Sequence, residues 1–68
     1  MKSQHIRYQG YGIELCTQRE KDDTCVCRAK FEGMELEERG ASSGEAQKKA
    51  LEAAKIQIDI LERLKGHE

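Results

Sequence analysis

The hydrophobic pattern of the chain changes once, at residues 40–44. Before this segment apolar and polar residues alternate, which is typical of strands with one buried face. After it apolar residues recur every three to four positions, which is typical of an amphipathic helix. We therefore predict one α+β domain over residues 1–68, a three-stranded antiparallel meander at 11–39 packed on one long C-terminal helix at 42–65 (βββα). Residues 1–10 form either an edge strand or a mobile arm.

The register of the predicted sheet follows from its turns. Glu32-Gly33 suits a two-residue hairpin turn, because glycine accepts a positive φ at the second position. This turn pairs Phe31 with Met34, Lys30 with Glu35, Ala29 with Leu36, and Arg28 with Glu37. A loop centred on Asp22 sets Leu15 opposite Ala29. Both hairpins then share one apolar face and one face of paired charges, since side chains alternate along a strand.

The helix is expected to extend past the sheet. Ser42 and Glu45 fit a capping box at its start, and Gly66 is a suitable stop. About 22 helical residues span roughly 33 Å, whereas a seven-residue strand spans about 23 Å. The part that extends carries the large aliphatic residues, while the first half of the helix is lined with alanine.

This apolar extension predicts a surface for a partner, because monomers rarely leave such a patch in water. A second copy of the chain or another protein is expected to cover it. The alternative is that residues 1–10 fold back over it. The residues assigned to the partner interface are Leu51, Ile56, Ile58, Ile60, Leu61 and Leu64.

Composition narrows the classes of function. The 68 residues are 37% hydrophobic, and 12 Lys+Arg balance 13 Asp+Glu to a net charge of −1. So short a chain leaves little core for an enzyme with a deep pocket, and we predict a non-catalytic protein without cofactor. No apolar run reaches the length of a membrane span and the first residues lack a signal-peptide core, so we expect a cytoplasmic protein that binds no membrane.

The cysteines and histidines do not predict a metal site. Cys25 and Cys27 share the apolar face of one strand, whereas Cys16 points to the other face. His5 and His67 lie near opposite ends of the chain. Because the thiols do not converge, neither a tetrahedral metal site nor a disulfide is expected, and an odd number of cysteines fits a reducing compartment.

A second hypothesis is nucleic-acid binding. Lys48, Lys49 and Lys55 form a basic cluster in the first half of the helix, and Arg28 is a further candidate contact. Lysines of this kind neutralise phosphates. The alternative is an ordinary solvated helix face, with Glu45 and other acidic residues interleaved among the lysines.

The segment 25–33, followed by Gly40, Ser42, Ala46 and Ala50, resembles the C-terminal β-β-α portion of the double-stranded-RNA-binding domain over roughly residues 11–64. The resemblance implies phosphate contacts from lysines just after the serine that opens the helix. Here Ser43 and Gly44 occupy those positions, and Lys48 and Lys49 follow one turn later.

The chain is also similar to the small HicB-type antitoxin fold. There the strands end in a Gly–Ser/Thr turn, followed by a helix that begins Glu-Ala and is rich in alanine and isoleucine. The matching residues are Gly40, Ser43, Glu45-Ala46, Ala50 and Ala54. This resemblance implies a protein-binding, often dimeric module. Taken together, the sequence predicts a small homodimeric interaction module, with an RNA-type nucleic-acid-binding module as the alternative.

Overall fold

The sheet has four strands. A computed structural model describes residues 2–66, in which an antiparallel sheet of order β1-β2-β3-β4 carries one helix on one face. The elements are β1 (Lys2–Tyr8), β2 (Tyr11–Arg19), β3 (Cys25–Phe31), β4 (Met34–Gly40) and α1 (Ser43–Lys65). The α+β class and the single C-terminal helix are confirmed. The prediction of three strands is wrong, because Lys2–Tyr8 adds an edge strand, which was one of the two alternatives for residues 1–10.

Strand β1 joins the sheet through a tight turn at Gln9-Gly10. Both residues have positive φ, 50° and 83°, as in a type I′ turn, whose twist matches that of the flanking strands. Ile6 then pairs with Ile13 and Tyr8 with Tyr11. These two residues of β1 are partly buried and pack against the core. The rest of β1 is polar, so its alternation is too weak to decide between an edge strand and a mobile arm from the sequence.

The predicted register of the other strands is confirmed. Phe31 pairs with Met34 across the Glu32-Gly33 turn, and Leu15 pairs with Ala29. On the face without the helix, Arg28 lies 3.1 Å from Glu37 and Lys30 lies 3.6 Å from Glu35. These cross-strand pairs are exposed, so water and salt screen them and each contributes little to stability.

The core lies between the sheet and α1. Its residues are Tyr11, Ile13, Leu15, Cys25, Cys27, Ala29 and Phe31 from the sheet and Ala46, Ala50, Ala54 and Ile58 from the helix. Thr17 is also buried, and its hydroxyl accepts a hydrogen bond from Gln47 Nε2 at 3.0 Å. Ser42 caps α1, since its Oγ accepts from the Glu45 amide at 3.2 Å.

Candidate interaction surface

The buried side of α1 is a row of residues four apart, Ala46, Ala50, Ala54 and Ile58. Four residues turn a helix by about 400°, so such a row moves about 40° round the axis at each step. The contact with the sheet therefore winds round the helix, and α1 crosses the strands at an angle. Alanine side chains in the first half allow a close approach to the sheet.

This winding also leaves a second apolar row of α1 exposed to water. Ile56 is 58% exposed, Ile60 42% and Leu64 64%. They are also four apart, so they form one stripe, which we call the outer row. Met34, 39% exposed, adds a further apolar side chain on the helix side of the sheet, at the β3–β4 turn. Among residues 2–66 four large apolar side chains are exposed, which is a substantial apolar surface for so small a protein.

The structure divides the six residues predicted as a partner interface. Ile56, Ile60 and Leu64 are exposed, whereas Leu51 and Leu61 are partly buried against the core. Ile58 is fully buried, so its assignment to a partner contact is wrong. The reason is that the buried row winds round the helix. In the first half of α1 the side that faces the sheet is that of Ala46 and Ala50, and four residues beyond Ala54 the side that faces the sheet is that of Ile58.

The other side of the C-terminal half of α1 is covered by the end of the β1–β2 hairpin. The Tyr8 hydroxyl donates to Asp59 Oδ1 at 3.0 Å, and the Tyr11 hydroxyl donates to Glu62 Oε2 at 3.0 Å. Gln9 Nε2 also bonds Asp59. Tyr8, Gln9 and Tyr11 thus contact one side of the helix extension, so the alternative in which residues 1–10 fold back over it holds only for the end of the hairpin. The outer row is on the side that they leave open.

Two lysines lie over the tyrosine rings of this hairpin end. Lys55 Nζ is 5.3 Å from the centroid of the Tyr8 ring, and Lys65 Nζ is 5.2 Å from that of Tyr11. Lys65 also donates to the Tyr11 hydroxyl at 3.0 Å, and this hydrogen bond raises the pKa of the ammonium group above its usual value. The cation–π contacts and hydrogen bonds hold the hairpin end against the helix.

The basic residues considered for nucleic-acid contact do not share one surface. Arg28 lies on the face of the sheet without the helix, where its hydrogen bond to Glu37 raises the pKa of the guanidinium group. Lys49 bonds the Arg39 carbonyl and lies 3.4 Å from Glu45. Lys55 is partly buried over Tyr8, and Lys48 is exposed. The cations are therefore divided between two faces of the molecule, and most of them already contact acidic or aromatic groups.

The cysteines are arranged as their spacing predicts. Cys25 and Cys27 are buried in the core, and Cys16 is a partly exposed free thiol on the opposite face. Within residues 2–66 no three metal-binding side chains gather, and His67 lies outside the residues described. Cys16 and Val26 form the floor of a depression of about 250 Å³, whose rim includes the paired residues Lys30 and Glu35. The charged residues that line it are paired, Lys30 with Glu35 inside the depression, Arg28 with Glu37 and Glu20 with Arg39 beyond it.

Comparison with protein-family models, with curated proteins and with solved structures finds no match to this chain. The resemblances to the double-stranded-RNA-binding domain and to the HicB-type antitoxins therefore stay predictions. In the part of the chain that the structure describes, no helix is both long and apolar enough to cross a membrane.

Sequence reasoning missed the role of the two tyrosines. Tyr8 and Tyr11 reach residues of α1 that lie 51 positions away along the chain. Their short separation around Gln9-Gly10, a dipeptide suited to a two-residue turn, was the available signal for the hairpin. The same signal would have limited the helix face that remains open.

Proposed function

We propose that the protein is a small non-catalytic interaction module that binds protein through the outer row of α1, residues Ile56, Ile60 and Leu64. The observation that carries this proposal is the exposure of three large aliphatic side chains in one helical row, 58%, 42% and 64%. A row of this kind is the recognition element of helix-mediated contacts, in which side chains four apart anchor in an apolar groove or beside another helix.

The surroundings of the row support a permanent surface rather than a site exposed by a conformational change. The row belongs to the same helix whose opposite stripe is buried in the core, so its backbone is held by Ala54 and Ile58. The hairpin end, fixed by Tyr8 and Tyr11, limits the surface on one side. A rigid apolar surface loses little conformational entropy on binding, which favours affinity.

A nucleic-acid-binding role has less support. Binding to phosphates needs several unpaired cations on one surface, because affinity rises with the number of phosphates contacted. Arg28 lies on the opposite face of the sheet from Lys48, Lys49 and Lys55. Among the helix lysines, Lys49 and Lys55 already contact Glu45 and the Tyr8 ring respectively.

The test compares Ile60→Glu with Lys48→Glu. Both variants introduce a glutamate at an exposed position of α1, but only Ile60 belongs to the outer row. Ile60→Glu should reduce association by at least about tenfold, since it places a charge in an apolar contact. The readouts are sedimentation over a concentration series and retention of proteins from the native cell.

Far-UV circular dichroism verifies that each variant stays folded. Lys48→Glu should leave association unchanged. If both variants behave like the unaltered protein in both readouts, the outer row is not a binding surface. RNA recovered with the protein from the native cell is measured as well. Its loss in Lys48→Glu, with no effect of Ile60→Glu on the other two readouts, would instead support the nucleic-acid alternative.

A further inference from the structure

Two opposite charges flank the outer row on its solvent side. Glu52 and Arg63 are eleven residues apart, which is about three turns plus 20°, so they lie on the same side of α1. Both are exposed. In the described part of the chain, neither takes part in an ion pair. Other exposed charges of the helix do pair, as Lys49 does with Glu45.

We infer that the partner of the outer row is a second copy of this chain, packed with its α1 antiparallel to the first and related by a two-fold axis beside residues 57 and 58. This inference rests on the proposed function, because it names the occupant of the same surface. The axis is perpendicular to the plane that contains both helices. Rotation about it reverses the direction of α1 but leaves its solvent side facing the same way, so the solvent sides of the two copies lie next to each other. Glu52 of each copy then lies at the height of Arg63 of the other, which forms two equivalent ion pairs.

The same axis matches the apolar side chains. Ile56 of one copy lies beside Ile60 of the other, and Leu64 lies beside Ala53, whose small, half-buried side chain leaves room for it. The midpoints of these pairs fall at 58 and 58.5, and that of Glu52 and Arg63 falls at 57.5. The three pairings thus fit one position of the axis to within a single residue. Rows of residues four apart on both helices interdigitate with a crossing angle of about −50°.

The charges also select the direction of the second helix. In a parallel pair related by a two-fold axis along the helices, the solvent side of one copy would lie beside the opposite side of the other. Glu52 and Arg63 of the two copies would then lie at opposite edges of the contact and stay unpaired, whereas the antiparallel pair joins them, so the two residues favour the antiparallel arrangement. The row from Ile56 to Leu64 is only about 12 Å long. The contact lies at the small end of protein interfaces, and we expect dissociation in the micromolar range or above.

The experiment is a charge exchange across the proposed axis. Arg63→Glu and Glu52→Arg each bring like charges together, and each should weaken the dimer by about tenfold at low salt. The double variant restores opposite charges in both ion pairs, and its dimer should return to within about threefold of the unaltered protein. Lys48→Glu, which changes an exposed charge off the row, is the matched control. Association is measured by sedimentation equilibrium from about 1 to 500 μM, which brackets micromolar binding.

Each outcome decides the inference. Two weakened single variants and a restored double variant support it. The inference is overturned if the two single variants weaken the dimer and the double variant weakens it by the sum of their effects. It is also overturned if the unaltered chain stays monomeric while Ile60→Glu loses a different bound protein. The proposed function survives both results. A chain for which neither Ile60→Glu nor any charge variant has an effect overturns both. If a charge-reversal variant fails to fold, Glu52→Gln and Arg63→Gln replace it. The inference then expects each to weaken the dimer equally, and the double variant to weaken it no more than either one alone.

Discussion

The two isoleucines Ile58 and Ile56 offer the sharpest test of how α1 sits on the sheet. They are two residues apart in one helix, yet Ile58 is fully buried and Ile56 is 58% exposed. Replacing each with alanine removes the same three carbon atoms. The loss in transfer free energy for a fully buried side chain is about 2.4 kcal/mol, and the cavity raises the usual total to about 2–5 kcal/mol. Alanine returns roughly 0.4 kcal/mol through its higher helix propensity.

We therefore expect Ile58→Ala to lower the free energy of unfolding by about 2–4 kcal/mol. Ile56→Ala should change it by about 0.5 kcal/mol or less, because partial burial and helix propensity nearly cancel. For 68 residues the total is roughly 3–10 kcal/mol, so the first change removes a large share of it.

Urea unfolding followed by far-UV circular dichroism measures both values. The protein is kept at low micromolar concentration, so that association through the outer row does not add to stability. With a slope near 1 kcal/mol per molar urea, the midpoint of Ile58→Ala should fall by about 2–4 M. Equal shifts for the two variants would refute the assignment of buried and exposed sides. A larger shift for Ile56→Ala would mean that the helix is rotated about its axis.

Three further outcomes follow from contacts elsewhere in the fold. A Cβ at Gly40 would lie 2.8 Å from the Ala46 amide nitrogen, so Gly40→Ala should destabilise the protein by more than about 1 kcal/mol in the same urea assay. A Cβ at Gly44 meets nothing within 4 Å, so Gly44→Ala should stabilise the protein by up to about 1 kcal/mol. Tyr11→Phe removes the hydroxyl that bonds Glu62 and Lys65 and should lower stability by about 0.5–1.5 kcal/mol; a double-mutant cycle with Glu62→Gln should show that the two changes are not additive. The Asp22 carboxylate accepts a hydrogen bond from the Thr24 amide, which lowers the pKa of Asp22 below the usual 3.8. Its contribution to stability is therefore present above pH 3.8 and is lost as the pH falls through the lowered pKa. Asp22→Asn should flatten the acid side of the curve of stability against pH, and an unchanged curve would contradict this assignment.

The register of β2, β3 and β4 was predictable because two independent constraints agree. The Glu32-Gly33 turn fixes the pairing of Phe31 with Met34, and the alternation of apolar residues fixes which face is buried. A shift by one residue would expose the whole apolar set. The capped start of α1 was predictable for a similar reason, because Ser42 and Glu45 form a local pattern that needs no tertiary contact.

Strand β1 and the rotation of α1 were not predictable in this way. As an edge strand, β1 buries only part of Ile6 and Tyr8, so most of its sequence is free to be polar. The burial of Ile58 depends on the angle at which the helix crosses the sheet, and no local pattern encodes that angle. The exposed outer row became visible only when both features were known.

The order of the strands has a consequence for how fast the chain folds. Each strand pairs with its neighbour in sequence, and the first and last pairs are closed by two-residue turns. Hairpins with so little chain to close form in about 1–10 μs, and their contacts need only a small loss of chain entropy. Docking of α1 is the single step that joins distant parts of the chain. Local topology of this kind favours folding within milliseconds, which leaves the apolar helix exposed only briefly before the sheet covers its buried side.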